Sequence, residues 1–91
     1  MKFGEVEILE QPELTAMPQE AASAWCAVMN NILGATYKPL LYVGGQPAKG
    51  VNHVFIAQQT LILAKPERHI VLVTINEFDG NYNIVSIERI I

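Results

Sequence analysis

The sequence predicts an α+β domain in which one helix lies across a curved antiparallel sheet. Two observations lead to this class: apolar residues recur at helical spacing once, near the start, and the later chain is rich in Tyr, Val, Ile, Leu and Thr between short turn-like stretches. A chain of 91 residues suffices for one domain with its own core. We therefore expect residues 1–91 to form one domain in the order strand, helix, four-stranded meander.

The helix is predicted between residues 18 and 33. Pro18 opens it, since the first turn tolerates a residue without an amide donor, and Gly34 follows its end as a common C-terminal stop. Glu20 suits the positive end of the helix dipole. Apolar residues at three- and four-residue spacing predict a buried stripe: Ala21, Ala24, Trp25, Val28, Met29, Ile32 and Leu33.

Five strands are predicted around this helix. A short one runs from Lys2 to Glu10 and ends before Pro12, because proline cannot donate to a ladder. The short connections between the later strands favour antiparallel pairing, and Asp79-Gly80 is typical of a tight hairpin. One helix covers only one face of such a sheet, so an apolar uncovered face is able to pair with another chain. The later strands are Thr36–Val43, Val51–Leu63, Ile70–Phe78 and Tyr82–Ile91.

Composition excludes several classes of partner. The net charge is −3 and the basic residues are scattered, so no basic stripe is available to bind nucleic acid. The first residues do not resemble a signal peptide, and no apolar run is long enough to cross a membrane. A single cysteine, Cys26, suits a reducing compartment. We expect a cytoplasmic protein without nucleic-acid or membrane partners.

The residues offer little basis for catalysis. Cys26 with His53 or His69 is the one pair capable of nucleophilic chemistry, but nothing near them in the sequence orients a base or forms an oxyanion hole. Cys26 is better explained as a small apolar residue of the helix, and the two histidines as ordinary strand residues. No cluster has metal-ligand spacing, and no glycine loop opens a helix to hold a phosphate. We expect neither an enzyme nor a metal or cofactor.

The connection from Gly44 to Gly50 contains three glycines and one proline. One interpretation is an irregular, bulged turn. The other is a projecting apolar tip at Pro47-Ala48, stiffened by proline and able to approach a partner closely because glycines flank it. Both interpretations stay open on the sequence alone.

The order of elements and this connection resemble the cystatins, particularly the stefin type without disulfides or signal peptide. Gln46-Pro47-Ala48-Lys49-Gly50 occupies the place of the family's Gln-x-Val-x-Gly loop. Asn52 lies two residues after the glycine, where the family often has Asn. The resemblance in the order of helix and strands extends over nearly the whole chain.

The resemblance implies inhibition of papain-like cysteine proteases by a wedge of three segments. By position, Gly4 matches the family's N-terminal glycine, Gln46 to Gly50 match its first hairpin, and Phe78, Asp79 and Gly80 match its second hairpin. Such a wedge fills the cleft beside the nucleophile without offering it a correctly placed peptide bond. Inhibition then requires binding only.

This chain departs from the family pattern at two places. Ala48 replaces the middle valine, and Phe78-Asp79 stands where the family has Leu-Pro or Pro-Trp. Each change is expected to cost on the order of 1–2 kcal/mol of binding. Two alternatives therefore accompany the inhibitor: a non-inhibitory interaction module or homodimer using the uncovered face or an edge strand, and an enzyme or ligand carrier with a pocket between helix and sheet.

Overall fold

The computed structural model describes residues 17–91, in which a helix is followed by four strands. The α+β class and the order helix before sheet are confirmed over these residues. The strand predicted from Lys2 to Glu10 lies outside them. The elements are α1 (Gln19–Val28), a 3₁₀ turn (Met29–Asn31), β1 (Ala35–Ala48), β2 (Gly50–Leu61), β3 (Glu67–Phe78) and β4 (Asn81–Arg89).

The helix begins as predicted but ends early. The carbonyl of Pro18 accepts hydrogen bonds from the amides of Ala21 and Ala22, both at 3.0 Å. Regular α-helix stops at Val28, so the predicted end at residue 33 is wrong. Two consecutive asparagines in the 3₁₀ turn explain this, because their side chains compete with the helical backbone. Within residues 17–91 no helix is long and apolar enough to cross a membrane.

The sheet is a four-stranded antiparallel meander in the order β1-β2-β3-β4, as predicted. Its first strand is longer than expected, since the connection predicted from Gly44 to Gly50 is almost entirely strand. Pairing continues from Gln46 opposite Asn52 to Ala48 opposite Gly50. β1 tolerates its prolines because it is at an edge of the described sheet, where a missing amide donor costs no ladder bond to a further strand.

The core lies between α1 and one face of the sheet. Trp25 is 2% exposed, and its ring meets Phe55 edge-on with the centroids 5.0 Å apart. Ala21 and Ala24 are fully buried, which lets the helix backbone approach the strands closely. The aliphatic part of this core comes from alternate residues of β3: Val71, Val73 and Ile75.

The opposite face of the sheet carries an aliphatic row, which we call the outer face. Leu41 pairs with Ile56, and Ile56 pairs with Leu72. These residues alternate along their strands with core residues, so their side chains point away from α1. Leu41 is 56% exposed, whereas Ile56 and Leu72 are half-buried. The outer face is therefore partly apolar, as the sequence predicts.

Candidate functional site

The two hairpins that were predicted to bind a protease meet at one end of the sheet. β1 and β3 both run towards this end, and their chains reverse at Lys49 and at Asp79-Gly80. Val51 pairs with Glu77, so the two reversals are neighbours across the β2–β3 ladder. We call residues 46–50 and 78–80 the hairpin end. Gly4, the third predicted segment, lies outside the described residues.

Specific contacts tie the first reversal to the neighbouring strand. The Asn76 side-chain amide donates hydrogen bonds to the Lys49 carbonyl and to Asn52 Oδ1, each at 2.9 Å. The Lys49 Nζ lies 5.4 Å from the centre of the Phe78 ring, within range of a cation–π interaction. These contacts link residues of both hairpins, so the hairpin end is braced across the sheet.

Gly50 has a structural reason to be glycine. Its φ of +85° lies in the left-handed region that side-chain-bearing residues avoid. A Cβ at this position would overlap the carbonyl oxygen of Glu77 and lie 2.9 Å from Cβ of Phe78. The glycine therefore serves the turn and the close packing of β2 on β3. Its presence is not by itself a sign of a binding partner.

The hairpin end exposes apolar and polar groups side by side. Phe78 is 45% exposed, and Pro47 and Ala48 are also exposed. Gln46 and Lys49 supply polar groups next to them. Pro47 and Ala48 are paired strand residues that flank the reversal, whereas the sequence suggested that they form its tip. The hairpin end thus presents a mixed apolar and polar surface.

Next to the hairpin end lies a hydrogen-bonded chain that the sequence did not predict. His53 is 4% exposed; its Nδ1 is 2.9 Å from the Tyr42 hydroxyl and its Nε2 is 2.9 Å from Glu77 Oε1. An ionised carboxylate only accepts, so Nε2 carries the proton, and in the neutral imidazole Nδ1 accepts from Tyr42. The chain thus runs from the Tyr42 hydroxyl through His53 to Glu77.

This chain forms one wall of an open cavity of about 540 Å³ between the start of α1 and the hairpin end. Burial, and to a smaller extent the negative charge of Glu20, raise the pKa of the Tyr42 phenol. A raised pKa keeps the phenol protonated near neutral pH and opposes its use as a nucleophile.

The raised pKa of Tyr42 predicts a loss of stability in alkali. Tyrosine in an unfolded chain titrates near pH 10, so the stability that Tyr42 contributes is complete below about pH 10 and is lost as the pH rises through the folded value. Thermal melts over this range should show the decline in the natural chain and less of it in Tyr42→Phe. An equal decline in both proteins would contradict the assignment.

Cys26 and the two histidines, the candidate nucleophile pair, have separate surroundings in the structure. Cys26 is exposed on α1. His53 forms hydrogen bonds with Tyr42 and Glu77. His69 Nε2 lies 3.3 Å from Glu67 Oε1 at the start of β3. Among the described residues no three potential ligands cluster as a metal site would require. The structure does not bring Cys26 into a hydrogen bond with either histidine.

Comparison with known proteins assigns the chain to no family. No family model, no curated protein and no solved structure matches the chain. Two features of the described residues remain as the basis for a functional argument: the hairpin end, and the cavity beside it with its tyrosine–histidine–glutamate chain.

Proposed function

We propose that this protein inhibits papain-like cysteine proteases by placing the hairpin end in the active-site cleft. One observation carries the proposal: the two chain reversals that correspond by position to the cystatin inhibitory loops lie side by side at one end of the sheet. We further propose that the fold is cystatin-like, since a helix followed by a four-stranded meander agrees with that layout. No catalytic group is needed for this activity.

The rigidity of the hairpin end supports the proposal. Asn76 fixes the backbone at Lys49, and Gly50 lets β2 pack closely on Glu77 and Phe78. A surface that is ordered before binding loses little conformational entropy when a partner arrives. The wedge can therefore bind with a modest contact area.

The backbone geometry also explains how the chain would escape cleavage. Proteases cut segments that lie extended in the cleft, whereas Lys49 occupies a reversal between paired residues Ala48 and Gly50. Opening this reversal would break the end of the β1–β2 ladder and its bond to Asn76. Residues 46–50 would thus occupy the cleft without presenting a scissile peptide in a productive position.

Titration of papain with the purified protein tests the proposal. We expect reversible inhibition, with the chain intact by mass spectrometry after prolonged incubation. Ala48→Val should tighten inhibition by up to about tenfold, because each added buried methylene contributes about 0.8 kcal/mol.

Ala64→Val is the matched control, because Ala64 is also exposed but lies in the β2–β3 connection at the other end of the sheet. It should leave inhibition unchanged. The absence of inhibition by both the natural chain and Ala48→Val at high micromolar concentration would rule out the inhibitor. Equal tightening by the two variants would show that the effect does not come from the hairpin end.

The outer face favours a second candidate function, a homodimer or interaction module. The row Leu41, Ile56 and Leu72 lies on the face that α1 leaves uncovered. Association through this row would appear in sedimentation experiments as a mass that rises with concentration, and Leu41→Glu would abolish the rise. A monomer at all concentrations would exclude the homodimer and leave the inhibitor unaffected.

A further inference from the structure

The cavity beside the hairpin end has a polar wall that the fold itself does not require. His53 is the one buried polar side chain among residues 17–91, and its cross-strand partner Ile75 is aliphatic. Burying an imidazole costs desolvation free energy, and its hydrogen bonds compensate this cost without a net gain. An aliphatic side chain packs in a core without that cost. The chain from Tyr42 through His53 to Glu77 is therefore better explained by the cavity than by folding.

Among the described residues, the polar side chains that line this cavity offer acceptors to a ligand. With His53 neutral and its Nε2 proton donated to Glu77, the Tyr42 hydroxyl donates to His53 Nδ1, and the Tyr42 oxygen keeps lone pairs that accept. Glu77 uses only Oε1 for His53, and Glu20 and Asp79 also line the cavity. Among residues 17–91 neither Lys nor Arg lines the cavity, and Lys49 lies instead over Phe78. A ligand must therefore supply several donors and a positive charge.

The remaining walls specify the rest of the ligand. Pro18, Val51 and Phe78 are apolar. At about 540 Å³ the cavity is within the usual range for small-molecule sites and far exceeds what a bare ammonium ion needs. A planar guanidinium or an ammonium group on an alkyl stem satisfies both the acceptors and the apolar walls.

We propose that this cavity binds an organic cation, an alkylguanidinium or alkylammonium group. The same chemistry is offered by a free small amine and by an arginine or lysine side chain of a partner protein. Gly50, Phe78 and Asp79 line this cavity and also belong to the hairpin end, but occupation of the cavity can be measured without a protease, so the two proposals are tested separately.

A titration monitored by NMR tests the proposal on the whole chain. The probe is butylguanidinium, with butylurea as its neutral counterpart and butyrate as the anion. We expect saturable shifts of the Tyr42 ring and Val51 methyl resonances with butylguanidinium only. A bound cation should also lower the pKa of the Tyr42 phenol, opposing the effect of Glu20. Unsaturable shifts up to about 10 mM, or equal binding of butylurea, would overturn the proposal.

Charge-removing variants locate the cation. Glu77→Gln and Asp79→Asn should each weaken butylguanidinium roughly tenfold, as expected for one charge-assisted hydrogen bond. Asp79 has φ 54°, a conformation that asparagine tolerates, so Asp79→Asn should keep the turn. It therefore tests the site even where Glu77→Gln disturbs the hydrogen bond to His53. The matched control is Glu88→Gln, because Glu88 is exposed and pairs with Leu72 of the outer face. Equal weakening by the control would place the binding elsewhere and refute the site.

A blocked five-residue peptide with a central arginine distinguishes the two sources of the cation. Tighter binding of the peptide than of butylguanidinium supports a partner side chain as the natural occupant. Binding of butylguanidinium without the peptide supports a free small amine. Failure of both ligands to shift Tyr42 and Val51 contradicts the site, whatever the outcome with papain.

Discussion

Replacing Trp25 by alanine is expected to lower the free energy of unfolding by about 3–5 kcal/mol. The indole is 2% exposed and packs edge-on against Phe55 at 5.0 Å, between α1 and the sheet. The neighbouring buried helix residues Ala21 and Ala24 are too small to fill the space it would leave. Urea unfolding followed by far-UV circular dichroism measures the change through a lower midpoint at an unchanged m-value.

Leu33→Ala is the control for this prediction, because sequence spacing assigns Leu33 to the same buried stripe. In the structure Leu33 is 93% exposed, so its truncation should change stability by less than about 0.5 kcal/mol. A loss below about 1 kcal/mol for Trp25→Ala, or similar losses for both variants, would show that α1 is not packed as described.

Replacing Gly50 by valine is expected to cost about 3 kcal/mol or more. Two penalties add at this position: the positive φ of +85°, which costs about 1–3 kcal/mol for a side-chain-bearing residue, and overlap with the Glu77 carbonyl oxygen. β-Branching makes valine especially unsuited to this conformation. Thermal or urea unfolding measures the loss, which should be accompanied by weaker inhibition because both hairpins meet at Gly50.

Gly80→Ala separates the two penalties. Gly80 has a similar φ of +79°, but a Cβ there meets nothing within 4 Å. Its replacement should therefore cost only about 1 kcal/mol, the conformational part alone. The loss of stability for Gly50→Ala should be clearly larger than this value. Equal losses at the two glycines would mean that β2 does not approach Glu77 as closely as described.

Sequence periodicity predicted the start and the buried face of the helix well, and its end poorly. Ala21, Ala24 and Trp25 are in the core as expected. The apolar pattern continues to Leu33, but Asn30 and Asn31 stop the regular helix first. Periodicity reports which residues would share a face of a helix, and it does not report the competition between asparagine side chains and the backbone.

The sheet order was predictable from short connections and turn residues, whereas the length of β1 was not. Gly44, Gly45 and Pro47 are typical of a loop, yet they extend the first hairpin because β1 is at an edge of the described sheet. Pairing with β2 overrides their local preferences. The placement of residues 46–50 beside residues 78–80 followed correctly from the antiparallel order.

The chain of Tyr42, His53 and Glu77 could not be derived from sequence. These residues lie 11 and 24 positions apart and meet only because of the exact strand register. A bulge between Tyr42 and Gly44 contributes to that register, and the glycines that suggested a bulged turn did not fix its position. A histidine inside a predicted strand, followed by Val54 and Phe55, was the only available signal.

The most direct test of the central proposal is to map the surface that papain contacts. In an NMR titration of the isotope-labelled chain with unlabelled papain, we expect the largest amide perturbations in residues 46–50 and 78–80. The outer-face residues Leu41, Ile56 and Leu72 should change little. Perturbations centred on the outer face would contradict the proposal. So would the absence of perturbations at equimolar concentrations of tens of micromolar, which corresponds to a dissociation constant above about 1 mM.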